Sequence, residues 1–312
     1  MSLFFPSVCA TPLQRGCFTF LLLLVYSLLG WCGEMVYCSI GQRKLCEKRG
    51  FLNGPLCPIY GHGALVVLLA LDGGCDNPLL TFLLGVVLTS LVEYATSYIM
   101  EKLFHMRWWD YSHYRFHING RVCLLNSALF GLASVFLCHV ANPPIAQRLG
   151  SLFLSGLGIP LALLLGGVYL ADIVVSVRSA IRIGDHLAKL HAIHDELAGK
   201  LEALKAEQQQ ALELRRQHLG EKAAEAAQAL QEKLEPLTER SEDFTARLEA
   251  ARAEAQQKLR ALCERQDFFD RRLLRSFPTL NSPHHPEALK KLREYLAERK
   301  QLIKETNKNK EM

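Results

Sequence analysis

Two acids stand inside apolar runs: Glu34 within 18–40 and Glu93 within 79–100. An ionisable side chain in a hydrocarbon setting is costly, and it marks an ion pair, a pathway or a binding site. Snorkelling at a run end accounts for Glu101, Lys102 and Asp172. It does not suit Glu34 or Glu93, because a carboxylate has too short a stem to reach water. Glu93, Ser97 and Glu101 recur at i, i+4 and i+8, so one helical face would carry all three. A basic partner is expected for that stripe, and Arg121 is the candidate counter-ion of Glu93.

Two polar connections flank these acids. The first, RGFLNGPLCPIYGHG (Arg49–Gly63), has four Gly and two Pro in fifteen residues, with Asn53-Gly54 as a turn signal. Glycines there can bare backbone N–H groups toward an anion. No GK[ST] follows, so this is not a phosphate-binding P-loop. Tyr60 and His62 open the apolar run behind it. The second, WWDYSHYRFHINGRVCLLNS (Trp108–Ser127), is dense in chemistry. Trp108 and Trp109 suit the headgroup region, where an amphipathic ring is stable. Asp110, His113, His117 and Arg121 would align if the stretch were helical. His-x3-His without a third ligand is a weak metal signal, and no metal site is expected.

The elements that must position these residues are membrane helices. Apolar runs at 18–40, 58–71, 79–100, 122–140 and 152–176 predict about five spans, a span needing roughly 20 apolar residues. The second run is short, and its Pro58 to Gly63 start suggests a broken or re-entrant helix. Pro160 and Gly166-Gly167 predict a kink or close contact in the fifth. Arg43, Lys44, Lys48 and Arg49 in one loop, the bases of 101–121, and Arg178 and Arg182 all fall on one side. The loops 72–78 and 141–150 are poor in bases. This bias predicts an outside N-terminus and a cytoplasmic C-terminus, which gathers the buried acids and both connections in the cytoplasmic leaflet.

Composition divides the chain. Residues 1–177 hold 10 of the 36 Lys/Arg and 8 of the 31 Asp/Glu. The net charge of +5 is spread over both halves, so no nucleic-acid footprint is indicated. The ten Cys include no CxxC pair and read as packing residues. From about 180 the chain is rich in Ala, Glu, Lys, Leu and Gln. Leu187, Leu190, His194, Leu197, Leu201 and Leu204 keep the 3-4 spacing of a coiled-coil seam. A looser second seam spans Pro236. FPTLNSPHHP (277–286) breaks the pattern before a short basic helix and a tail. The expected domains are an N-terminal segment (1–17), a transmembrane domain (18–177), a cytoplasmic coiled coil (178–277) and the break with its tail (278–312). The fold class expected is all-α: a polytopic helix bundle followed by a coiled coil.

The two connections, with Gly30-Trp31-x-x-Glu34 before them and Glu93-Tyr94-x-x-Ser97 between, resemble a bacterial family of ABC-transporter type IV permeases. The resemblance covers roughly 18–140. It implies a multi-span membrane protein and makes Glu34, Asn53, Gly54, Pro55, Tyr60, Gly61, Glu93, Trp108, Trp109, Asp110, Asn119, Gly120 and Arg121 motif positions. No Walker motif occurs, so an ATPase would be a separate subunit.

Residue reading and resemblance together give a candidate binding set: Glu34, Asn53, Tyr60, His62, Glu93, Asp110, Asn119 and Arg121, with Trp108 and Trp109 as interface anchors. The function expected is a membrane transport component with a polar site in the cytoplasmic leaflet. The alternatives are a membrane-anchored coiled-coil scaffold or sensor and, less favoured, a lipid-headgroup enzyme. Without HExxH, GxSxG or a ligand cluster, no catalytic set and no cofactor is expected. The partners expected are the bilayer, an ATPase subunit, and a second copy or other chain through the coiled coil.

Overall fold

The computed structural model describes residues 11–42, 50–71, 77–221, 268–277 and 280–283, with Cys9 and scattered positions of 246–261 and 285–297. The bases Arg43, Lys44, Lys48 and Arg49, the acidic loop 72–76, Cys46, Cys75 and Cys263, the seam around Pro236 and the tail from 298 lie outside the described residues. The chain divides into two compact units, Met1–Gly184 with Asp267–His284, and Asp185–Gln266 with His285–Met312.

The first unit is built on helices whose ends are written in the sequence. Helix α1 spans Pro12–Gln42. Helix α2, Pro58–Ala70, starts on a proline, whose missing N–H costs nothing at a first helical turn. Helix α3, Pro78–Phe104, is capped by the Asn77 carboxamide, which accepts from the amides of Leu79 and Leu80. It ends on His105, whose left-handed backbone lets its amide reach the Glu101 carbonyl. A small hairpin follows, strands β1 (His117–Ile118) and β2 (Val122–Cys123) pairing antiparallel. Then come α4 (Leu124–Phe136), a π-helical turn (Leu137–Ala141), α5 (Asn142–Leu154) and α6 (Gly158–Glu221). Helix α7, Phe268–Ser276, lies in the first unit as well.

Three expectations change here. Among the described residues four helices are long and apolar enough to cross a membrane: Pro12–Ile40, Pro78–Phe104, Leu124–Leu154 and Gly158–Leu214. Helix α2 has 13 residues, too few at 1.5 Å per residue, and it is regular from Pro58 onward. The segment 141–150 is no loop, because α4 runs on into α5 through the π turn. Pro143 and Pro144 offer no amide to the carbonyls one turn back, so the register slips and the Asn142 amide reaches the Leu137 carbonyl instead. Pro160 falls in the first turn of α6, where it imposes no kink; a Cβ at Gly166 would meet the Phe20 ring of α1 at 3.7 Å, an ordinary contact, and one at Gly167 nothing within 4 Å.

Close helix packing occurs elsewhere. A Cβ at Gly30 would lie 2.3 Å from Tyr60, and one at Gly61 2.3 Å from Ser27 Oγ, so α1 and α2 touch at backbone distance. Gly85 and Gly131 do the same for α3 and α4, against Ser134 and Phe82. Small residues at crossings are the means by which helices associate where apolar burial gives no net drive. The core gathers Phe18, Leu22, Val67, Leu68 and Phe153 from α1, α2 and α5. Large apolar residues such as Leu83, Leu91, Leu132 and Val168 remain exposed on the long helices. A lipid-facing surface has this character.

In the second unit Leu187 and Leu190 of the expected seam are buried, and Lys200 pairs with Glu196 at 2.8 Å.

Candidate functional site

The stripe on α3 is read rung by rung by the connection that follows it. Glu93 is 5 % exposed, and its Oε1 accepts the Tyr111 O–H at 3.1 Å. One turn on, Ser97 accepts from Arg121 Nη1 at 3.3 Å. Next, Glu101 Oε2 holds Arg121 Nη2 at 2.9 Å and Arg107 Nε at 2.8 Å. The rings of Tyr94 and Tyr98 lie 5.7 Å and 5.4 Å from the Arg121 guanidinium carbon, within cation–π reach. Arg121 is thus the counter-ion of Glu101, not of Glu93. Its guanidinium is drawn to the end of the stripe where Arg107 also converges, and α3 carries Glu93 two turns away.

A hairpin, rather than a helix, makes this possible. Asn119 and Gly120 both take positive φ, 51° and 68°, and the Arg121 amide closes the turn on the Ile118 carbonyl. An Asn-Gly pair is suited to such a mirror-image turn. The expected helical alignment of Asp110, His113, His117 and Arg121 therefore does not occur. Asp110 instead folds back on Ser112, accepting from its amide and hydroxyl. Partial burial opposes the ionised Asp110, but those two bonds, with Arg107 and His113 nearby, outweigh it and hold the carboxyl below its ordinary range. A Cβ on Gly120 would stand 2.5 Å from Asp110 Oδ1. The Asn119 amide donates to the Tyr94 hydroxyl at 3.0 Å. Two residues not in the candidate set complete the contacts: Tyr111, which also bonds Asn126, and Tyr114, which bonds Tyr37 of α1. Burial and the neighbouring Glu93 push the Tyr111 hydroxyl well above its ordinary range.

Glu34 has its own tyrosine. Tyr60 donates to Glu34 Oε2 at 2.7 Å, and the Cys38 thiol lies 3.5 Å from Oε1. Tyr60 is in turn within electrostatic reach of Tyr111. Each acid is thus held by its own tyrosine, Glu34 by Tyr60 of α2 and Glu93 by Tyr111 of the connection. His62 stays apart. It is exposed, with Nδ1 2.8 Å from the Pro58 carbonyl of its own helix.

The first connection does present its amides to an anion, and the anion belongs to the chain. Asp172 Oδ1 accepts from the Asn53 amide and carboxamide, both at 2.8 Å, and from Ser176 at 3.3 Å. Its Oδ2 accepts from the Gly54 amide at 2.7 Å. Asp172 is therefore a clamp between the turn and α6, not a snorkelling residue. No local signal in the sequence joins positions 119 residues apart.

The two tryptophans part company. Trp108 is 2 % exposed, edge-on to Phe51, Phe104 and Phe277 with centroids 4.9 to 5.7 Å away. Its indole N–H has no partner among the described residues. That is a core position, and the headgroup-anchor expectation fails for Trp108 because aromatic rings enclose it. Trp109 is half-buried and donates to the Arg121 carbonyl at 3.0 Å.

Sequence reading placed 268–283 at the end of the coiled coil and in the break. These residues instead pack on the two connections. Arg272 donates to the carbonyls of Phe51 (2.8 Å) and Gly50 (3.4 Å). Asn281 and Arg107 exchange two backbone bonds, and the fully buried Asp270 pairs with Arg182 at 3.0 Å.

The family described as "Putative ABC-transporter type IV" matches residues 21–177, which hold every candidate residue and both connections. No curated protein and no solved structure matches the chain. Together with the family match, the four long apolar helices give it a membrane location. By the extent of that match, half of its length, the chain belongs to the ABC-transporter type IV family.

Proposed function

We propose that this chain is the membrane component of a transport system, with a polar site in the cytoplasmic leaflet formed by Glu34, Tyr60, Glu93 and Tyr111. The observation that carries this reading is the pair of acids within apolar helices, each held by a tyrosine hydroxyl across a helix or loop boundary. A pair of that kind contributes little that apolar packing would not, and it gives a solute two polar groups at membrane depth. Asn119 and Arg121 shape the wall of the site, while Asn53 and Asp110 hold the turns behind it. The basic loops favour an outside N-terminus and a cytoplasmic C-terminus. A separate ATPase subunit would supply the energy, and the seam of α6 would join a second copy or another partner.

The test is a phenotype that depends on the intact gene. Glu34→Gln and Glu93→Gln variants, inserted at normal levels, should lose it. If both variants sustain it fully, the site reading fails.

The scaffold reading has one observation in its favour. The chain leaves the first unit after Gly184, returns to it for Asp267–His284 and leaves again. Truncation after residue 180 would remove the segment packed on Trp108, so it does not isolate the coiled coil. Leu201→Glu with Leu204→Glu leaves that segment in place. A phenotype lost in that variant but kept in both Glu→Gln variants would select the scaffold.

A further inference from the structure

Glu93 is unlike every other acid described in the first unit. Asp172, Glu101 and Asp270 each have a salt partner or several donors. Tyr60 serves Glu34. Glu93 has one donor, Tyr111, on Oε1, while its buried Oε2 has no hydrogen-bond partner among the described residues. It lies in the interior of α3, about 16 Å along the helix from Phe104.

Among the described residues, the groups near it do not supply a cation. From the connection comes Tyr111, backed by Asn126 of α4 and Cys123 of β2. From α2 comes Tyr60, with Glu34 of α1 behind it. On α3 itself stand Tyr94, Ser97 and Glu101. The two bases at this end, Arg107 and Arg121, are committed to Glu101, with Arg121 also on Ser97 and over two tyrosine rings. A full negative charge with one oxygen unpartnered and no cation would be among the most costly groups that a membrane interior can hold. The smallest ligand that removes the cost is a proton, which needs no cavity.

We propose that Glu93 is a proton-binding site. The proton is given up by hydronium, which is left as water, and forms an O–H bond at Oε2, taking the carboxylate from a charge of −1 to neutral. Oε1 becomes the carbonyl oxygen that accepts from Tyr111. The use of this site in transport rests on the function proposed above; its existence does not. In that use the proton sets the charge that Glu93 presents to the solute.

Infrared difference spectroscopy on the full-length protein in lipid nanodiscs tests it. At neutral pH the wild type should show the C=O stretch of a protonated carboxylic acid, shifted in D2O. Glu93→Gln should abolish that band, Glu34→Gln should keep it, and Tyr111→Phe should move it to higher wavenumber as the carbonyl loses its donor. The Tyr111 variant keeps the carboxyl, so it decides the matter even if Glu93→Gln does not fold. A wild type without the band at neutral pH, or a band that persists in Glu93→Gln, overturns the proposal. A band that behaves as expected, in a protein whose Glu93→Gln variant keeps the gene-dependent phenotype, confirms the proton site and removes the transport reading. A missing band with a lost phenotype does the reverse.

Discussion

Asp172 and Glu93 are both carboxylates on long apolar helices, and both meet a loop, yet they are held in opposite ways. Asp172 takes four hydrogen bonds on its two oxygens, three of them from the Asn53-Gly54 turn. Glu93 takes one. A charge saturated by fixed donors is a strut, because all that it can bind is already bound. A charge left half-served in a low-dielectric place is a site, because any group that serves it gains. The contrast lies in the donors that each carboxyl meets.

Breaking the strut should have the largest effect. Asp172→Ala strands the Asn53 and Gly54 amides and frees the turn from α6, and we expect a loss of about 3 kcal/mol. Thermal unfolding in detergent, followed by the fluorescence of the buried Trp108, would read it as a clear fall in midpoint. Next comes Gly120→Ala. It puts a Cβ on a residue with φ of 68°, where Asp110 Oδ1 and Ser112 Oγ already stand 2.5 and 2.6 Å away. A cost of about 2 kcal/mol is expected, and because the Gly120 carbonyl accepts the Tyr111 amide, the Tyr111–Glu93 contact should loosen with it. That loss would show as a changed tyrosine environment in near-ultraviolet dichroism.

Smallest is a pH effect at Asp110. Its carboxyl is held below the usual range by Ser112, Arg107 and His113 against the opposing effect of burial. A depressed carboxyl stabilises the folded chain above its unfolded pKa of about 4 and ceases to do so as pH falls through the folded value. The wild type should therefore lose slightly more stability on acidification than Asp110→Asn does. Equal slopes for the two proteins would count against the Ser112 tie.

Much of this arrangement was legible in the chain, and the rest was not for physical reasons. The Glu93, Ser97, Glu101 stripe is local, set by the 3.6-residue period, so sequence reading finds it. The Pro58 start is local too, but its proline and glycines read as a break where the structure has a regular helix. Partner choice is not local. Arg121 can reach Glu93 or Glu101 by spacing alone, and only the hairpin with Arg107 beside it decides for Glu101. Trp108 looked like an interface residue because its core mates, Phe51, Phe104 and Phe277, are scattered over 226 positions of chain. The Asp172 clamp and the return of 268–283 to the first unit are equally non-local. A short apolar run such as 58–71 has the composition of a span without its length.

The most direct test of the contrast uses neutral isosteres at both acids. Asp172→Asn and Glu93→Gln would be melted side by side in one detergent. The account predicts that Asp172→Asn lowers stability by roughly 2 kcal/mol, since a carboxamide offers one acceptor oxygen where four donors converge. It predicts that Glu93→Gln stays within about 0.5 kcal/mol of the wild type or exceeds it, since no paired charge is lost. Equal losses, or a larger loss at Glu93, would contradict it.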